Sequence, residues 1–452
     1  MTEEKKLNVV FVFSDQHRGQ AMGYAGDLNV KTPNFDQLAR ESVNCSCAVS
    51  TVPVCGPTRA SLLTGQYPLK HGVFVNDVPI GELSESFGYS FRNAGYNTGY
   101  IGKWHIDGHG RNTFIPENRR LGFDFWRVSE CTHNYNDSHY YGEDDELKYW
   151  TDYDAGEQTE CAIDYIRRRD PDKPFALFLS WGPPHNPYET APKQYRDMYQ
   201  PETIKLRNNV PAEWVESTKK SLSGYYAHIT ALDEYMGRIM AVLKEEGIEG
   251  NTILVYTSDH GDMLNSQGMY TKQKPWDESI IVPFLIRWPN NFIAGSTMNT
   301  PLATEDIMPT ILDLCGINIP NSVQGENLAY CFKSNDQPDR AALIASIAPM
   351  GNSSNFRGVR EFRGVRTSRY TYVRNLNGPW LLYDNVNDPY QMNNLCGATD
   401  YAALQTELDD MLKSKLQSYE DEFKPAEYYV TSWGYQDRLN EDLLLPNLSK
   451  WY

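Results

Sequence analysis

The sequence predicts an α/β protein, with a large, mostly parallel or mixed central sheet flanked by helices and a smaller C-terminal subdomain of antiparallel sheet plus helix. Three observations carry this. Four short apolar runs, rich in β-branched and aromatic residues, read as buried strands, and each ends in residues that bind ligands or do chemistry. Helical periodicity lies between them, so they join as βαβ units with parallel neighbours. Beyond about residue 335 the texture changes to a hairpin signal and one more helix, which divides the chain into 1–335 and 336–452.

Residues 8–14 (NVVFVFS) form the first strand and run into Asp15, Gln16, His17 and Arg18. In open α/β sheets ligands bind beyond the carboxyl ends of strands, so a carboxylate here is poised to hold a metal. Taken alone, it reads as a loop aspartate or helix cap. Thr32-Pro33 opens a capped helix over residues 34–42. In residues 51–65 (TVPVCGPTRASLLTG), Pro57 is pre-set for a first helical turn and Gly65 can stop a short helix. Cys55 then sits just ahead of the helix N-terminus, where the dipole favours negative charge, and Arg59 adds a fixed positive charge nearby.

Residues 97–102 are the second strand, ending in Lys103, Trp104 and His105. A helix over 156–169 leads to the third strand, 175–180 (FALFLS), which runs on to His185 and Tyr188. A long amphipathic helix spans 224–246. The fourth strand, 252–257 (TILVYT), ends in Ser258, Asp259, His260, Gly261 and Asp262. One such ending is weak evidence; four on one edge of one sheet are not explained by packing. A strand at 283–287 and a helix at 304–315 follow. Residues 364–374 and 379–383 read as antiparallel strands joined at Asn377-Gly378, and 402–418 as a helix. The aromatic and leucine-rich tail, 427–452, is expected to pack on the main body.

Of the 452 residues, 40% are hydrophobic and 22% charged, as in a globular protein. The net charge of -17 argues against nucleic acid or an anionic membrane as partner. An anionic substrate then needs a local basic pocket. No run of about 18 apolar residues suggests a transmembrane helix. Residues 1–8 are polar and lack a signal-peptide core, so the chain as it stands reads as cytoplasmic. The alternative is a periplasmic or secreted protein whose signal peptide has been removed. The eight cysteines are scattered without a CxxC pair, and most read as buried free thiols. Oligomeric state is not legible.

An isolated Cys55 would read as a buried, inert thiol. Its surroundings say more. Cys55-Gly56-Pro57-Thr58-Arg59, followed by Leu63-Thr64-Gly65, resembles the signature of the type I, formylglycine-dependent sulfatases of the alkaline phosphatase superfamily. Thr58 stands where serine is commoner and keeps the hydroxyl. The resemblance implies that a separate maturation enzyme oxidises Cys55 to formylglycine. It also places Asp15, Gln16, Asp259 and His260, with residue 55, on a divalent cation, calcium or another such as Mg2+. Gln16 stands where many sulfatases have a second aspartate, a departure shared with relatives that cleave phosphonate or phosphate esters. Lys103 and His105 match a G-K-W-H motif, and His185 matches P-P-H-x-P-Y. Spacing from Val282-Pro283 selects Lys272 as the family's last lysine, leaving Lys274 as a surface neighbour and Asp277 in place of a glutamate. Val365-Arg366-Thr367, Leu382-Tyr383-Asp384, Asp388-Pro389 and Asn394-Leu395 resemble the family's small C-terminal subdomain.

The chemistry implied is hydrolysis of a sulfate monoester. A hydrated aldehyde at position 55 offers two geminal hydroxyls. One attacks sulfur, while Arg59, Lys103 and Lys272 neutralise the sulfuryl oxygens and a histidine or Lys272 protonates the leaving alcohol. Loss of a proton from the second, to His105, releases sulfate. A phosphonate monoester or phosphodiester hydrolase, or an unmodified glycan-binding member, are the alternatives. Residues 131–154 are dense in aromatics, acids and histidines, which makes a sulfated carbohydrate the favoured substrate and His133 and His139 candidate contacts. Phe356–Arg360 recurs as Phe362–Arg366, and Arg357 and Arg360 of the first copy are further candidates, although arginines at such a repeat also suit a solvated edge.

Overall fold

The four apolar runs lie side by side at the centre of one ten-stranded sheet. In the computed structural model, which describes residues 6–81, 85–334, 336–349 and 360–436, their spatial order is Thr252–Ser258, Asn8–Asp15, Phe175–Pro184 and Asn97–Lys103, all parallel. Asn8–Asp15 is buried throughout because its two faces belong to two cores. Val9, Phe11 and Phe13 enter one, Val10 and Val12 the other. That is why the strand reads as a continuous apolar run and not an alternating one. Helix Val215–Glu245 covers the second face with Tyr225, Ile229, Leu232, Met236 and Ile239. The first face is covered by Cys55–Thr64, through Ala60, Leu62 and Leu63, and by Ile307–Leu314. Strand Phe284–Arg287 runs antiparallel to Thr252–Ser258 and makes the sheet mixed.

The helix of the signature starts at Cys55 itself, and Gly65 ends it in the left-handed region (φ 65°), its N–H bonded to the Ser61 carbonyl. Helix Val215–Glu245 begins well before residue 224, because its first turns are polar and carry no apolar stripe to announce them. The helix expected at 156–169 runs Asp154–Arg167.

The smaller sheet has four antiparallel strands in the order Ala341–Ser346, Phe362–Thr367, Tyr370–Asn375 and Gly378–Asp384. The single strand expected over 364–374 is therefore two. The Thr367 hydroxyl oxygen accepts from the N–H groups of Arg369 and Tyr370 and turns the chain without glycine or proline. Helix Ala402–Ser418 lies where the sequence puts it and buries Leu408 and Leu412 in the first core. Arg363 and Asp421, both fully buried, pair there, and the hydroxyls of Tyr67 and Tyr429 donate to Asp421. The tail packs back as far as it is described: Tyr429, Val430 and Tyr435 join the first core, and the Tyr435 hydroxyl donates to the Gly72 carbonyl. All eight cysteines are free. Among the described residues no helix is long and apolar enough to cross a membrane.

Candidate active site

Parallel register brings the strand ends to one edge. Ser14 lies opposite Ser258, Asp15 opposite Pro184, and Gly102 opposite Ser180. Asp15, Lys103, His185 and the Asp259-His260 pair therefore converge, and the start of helix Cys55–Thr64 meets them. Cys55 Sγ lies 2.9 Å from Lys272 Nζ, 3.3 Å from His260 Nε2 and 3.5 Å from Asp15 Oδ1. Burial and Asp15 push the Cys55 thiol up, but Lys103, Lys272 and His260 outweigh them and hold it well below the usual thiol range. The pocket is thus locally basic in an acidic protein.

Lys103 Nζ donates to Asp15 Oδ2 at 2.7 Å, and the two raise and lower each other's pKa as an ion pair does, against burial. His185 Nδ1 donates to the Asn186 carbonyl (2.8 Å), so its Nε2 is left as the acceptor facing Lys272 Nζ at 3.1 Å. Burial and the Lys272 charge hold His185 neutral, well below its usual range. The ring of His133 stacks on that of His185 with centroids 4.4 Å apart.

Arg59 is 0% exposed, and its guanidinium is fully committed. It bonds Asp259 Oδ2 (3.1 Å), Asp15 Oδ2 (3.2 Å), the Ser180 hydroxyl (2.6 Å) and the Lys103 carbonyl (2.8 Å). It holds the two carboxylates in place and offers no free edge to a substrate. The Thr58 hydroxyl donates to the Val52 carbonyl at 2.9 Å, the service a serine there could also perform.

Asp15, Cys55, Asp259 and His260 each present one ligand atom, and the four atoms lie within 4.8 Å of one another. Gln16 adjoins them at φ 70°, its N–H on Asp259 Oδ1. Its Nε2 donates to Asp262 Oδ2 (2.7 Å) and reaches toward the Tyr188 hydroxyl (3.4 Å), while its buried Oε1 has no hydrogen-bond partner. Two carboxylates, an imidazole and a free amide oxygen are a donor set that fits a divalent cation.

His105 stands apart from this cluster. It is buried at φ 61°, and its Nε2 lies 3.5 Å from Asp77, which Arg111 grips with two bonds. Despite burial, Cys131 and Asp77 raise the His105 pKa well above its usual range.

The chain has counterparts in sequence and in fold. A family model described as Sulfatase matches residues 7–317, more than half of the chain. The chain belongs to the sulfatase family. A second model, N-sulphoglucosamine sulphohydrolase, C-terminal, matches residues 265–418. A Formosa agariphila protein named an ulvan-active sulfatase is 44% identical over 96% of this chain and 85% of its own length. The endo-4-O-sulfatase of Bacteroides thetaiotaomicron is 31% identical over 86% and 87%. A solved structure of yidJ from Bacteroides fragilis superposes with a TM-score of 0.84 at 31% identity, covering 95% of this chain and 99% of that one.

In this sulfatase the reading of Lys274 is corrected as well, beside that of Arg59, which faces Asp15 and Asp259 and not a substrate. Lys274 is not on the surface but 1% exposed, because Gln273 N–H bonds the Pro53 carbonyl and draws the segment under the signature loop. Lys274 Nζ donates to the Lys272 carbonyl (2.9 Å), and burial pushes its pKa down to about 7. Asp277 grips Arg366 with both carboxylate oxygens and ties the short helix Asp277–Ile280 to the smaller sheet. His139 sits on a three-residue strand next to the edge of the large sheet, paired with Tyr149 of the edge strand. Arg360 lies over the ring of Trp380, 5.6 Å from its centroid. Arg357 falls outside the described residues. Sequence reasoning missed Asp262, Tyr188, Ser180 and Asn76, whose amide oxygen accepts the Gly56 N–H at the start of the signature helix. The acid in S-D-H-G-D was the available signal for Asp262.

Proposed function

We propose that this sulfatase, once Cys55 is converted to formylglycine, hydrolyses a sulfate monoester on a carbohydrate. The observation that carries the reading is Cys55 Sγ held between Lys272 Nζ and His260 Nε2 beside Asp15. The relatives named for ulvan and for endo-4-O-sulfatase activity support a sugar substrate. Asp15, Asp259, His260 and Gln16 Oε1 would hold the cation, calcium being the best match to oxygen-rich donors. When bound, such a cation supplies Lewis-acid stabilisation of the sulfuryl oxygens. Lys103 adds fixed positive charge beside Asp15. Lys272 Nζ, between residue 55 and the neutral His185 Nε2, holds the proton for the leaving oxygen. His105 is set back with Asp77, which favours its protonated form, so it could serve as base for the substituent of residue 55 only after first losing that proton. The division of the chain at residue 335 and the absence of nucleic-acid or membrane partners belong to the same reading.

The test is co-expression with a formylglycine-generating enzyme, mass spectrometry of the Cys55 peptide, and a turnover screen on sulfated mono- and disaccharides. An intact thiol after competent maturation, or no turnover by fully converted protein, overturns the reading. Gln16 favours a second activity beside the first. A neutral amide in place of a carboxylate leaves about one more unit of positive charge, which favours a phosphonate monoester or phosphodiester, whose single negative charge is spread over two non-bridging oxygens and not the three of a sulfate monoester. Phosphonate or phosphodiester hydrolysis is expected at a detectable level. Gln16→Asp should shift the kcat/KM ratio towards sulfate about ten-fold, for about 1.4 kcal/mol of differential stabilisation. An unchanged ratio would remove Gln16 from the choice.

A further inference from the structure

Arg18, three residues beyond the strand Asn8–Asp15, is 2% exposed. Among the described residues no hydrogen bond or ion pair reaches its guanidinium, and its buried Nε has no partner. Its bonds are made by the backbone, the N–H donating to the Tyr225 hydroxyl and the carbonyl accepting from the Ala21 N–H. Arg59, Arg363 and Arg366 are also buried, and each meets a carboxylate. A buried guanidinium left unpaired is strongly unfavourable, so such a group is normally matched by an anion. Burial opposes its charge, while Tyr226, Tyr225, Asp27 and Glu278 favour it without bonding the guanidinium. Asp27 is occupied by the Tyr226 hydroxyl and by Asn29, and Glu278 by Arg207 and Asn209.

Arg18 lines a cavity of about 560 Å³. Lys205 stands on the same cavity, as do Tyr24, Tyr226 and Tyr390 and the carboxylates Asp27 and Asp277, the latter paired with Arg366. Gln20 adds a buried amide oxygen without a hydrogen-bond partner. The volume is in the range of small-ligand sites. A guanidinium fork recognises a planar or tetrahedral oxyanion through paired N–H bonds, tyrosine rings suit sugar faces, and a free amide accepts from a hydroxyl. None of Cys55, Lys103, His185 and Lys272 lines this cavity. It adjoins the catalytic loop through Gly261, where a Cβ would come within 3.0 Å of the Arg18 Cβ.

We propose that this cavity is a second binding site, distinct from the catalytic cluster, for a saccharide unit bearing a carboxylate or sulfate, with Arg18 as its anion receptor. The saccharide class rests on the carbohydrate reading above; the anion site does not.

Calorimetric titration of the full chain with glucuronate, with inorganic sulfate and with glucose tests it. Glucuronate or sulfate should bind wild type and Lys272→Ala alike, at least ten-fold more weakly to Arg18→Leu, and in between to Arg18→Lys, which also serves if the leucine variant does not fold. Glucose should not compete. Equal binding to wild type and the Arg18 variants, loss in Lys272→Ala but not in Arg18→Leu, or no binding of either anion overturns the proposal. Steady-state kinetics then separate the sources. A ten-fold higher KM of Arg18→Leu for a uronate-bearing sulfated oligosaccharide, with aryl sulfate turnover unchanged, marks the ligand as part of the substrate chain. An unchanged KM with anion binding lost marks a separate anionic saccharide. Failure of the carbohydrate reading would instead appear as Arg18-dependent anion binding without turnover of any sulfated sugar.

Discussion

Asp262→Asn isolates how this site orients Gln16. Asp262 Oδ2 accepts from Gln16 Nε2 at 2.7 Å and also from the Tyr188 hydroxyl, which leaves Gln16 Oε1 as the only end of the amide free to face a cation. The substitution keeps the shape and removes the charge. A hydrogen bond to a charged acceptor is worth about 1.5–3 kcal/mol and a neutral one about 1. The preference for the present amide orientation therefore drops by about 1–1.5 kcal/mol, and the rotated amide, with N–H groups towards the cation, becomes accessible. Calcium affinity should fall about ten-fold, within the range seen when outer partners of metal ligands are changed. Isothermal titration of metal-stripped protein with calcium measures it, with Gln16→Ala and the double variant completing a cycle. Wild-type affinity in Asp262→Asn, or losses that simply add in the double variant, would refute the claim that Asp262 acts through Gln16.

Lys272→Ala should lower kcat for an aryl sulfate by about 10²–10⁴, with a smaller loss for a substrate whose leaving group needs no proton; equal losses on both would deny Lys272 the role of acid. Burial lowers the pKa of His228 from 6.5 to about 4, so the unfolded chain takes up a proton that the folded chain refuses, and stability is lost as pH falls through this window. Between pH 7.5 and 5 this amounts to about 2 kcal/mol, which His228→Gln should remove from the pH dependence of chemical denaturation. Asp421→Ala leaves Arg363 buried without its partner and should cost about 3–5 kcal/mol in the same assay, whereas an effect below about 1 kcal/mol would mean that water reaches the pair.

What the sequence discloses depends on how local the cause is. The strands Asn8–Asp15, Phe175–Pro184 and Thr252–Ser258 announce themselves because both faces are buried, and their terminal residues are legible because the rule about strand ends is general. Helix Ala402–Ser418 is legible from its own periodicity. The turn at Thr367 was not, since it uses a threonine hydroxyl and not glycine or proline. Lys274 was misplaced because its burial depends on Pro53, far away in the chain. Asp262 and Gln16 are separated by 246 residues, and nothing near either one announces the bond. Arg59 was legible as a positive charge by Cys55, but its ties to Asp15, Asp259 and Ser180 come only from the fold.

The enclosure of Cys55 sets a schedule for making this enzyme. The thiol is 1% exposed, and all ten residues of its helix are buried against the main sheet. Any second enzyme that must take this side chain into its own active site finds nothing to grasp once the strands have closed. The proposed conversion of Cys55 would then belong to the interval between synthesis and collapse. Yield becomes a race between two rates, and conditions that hasten folding would produce more protein that is sound in structure yet chemically blank.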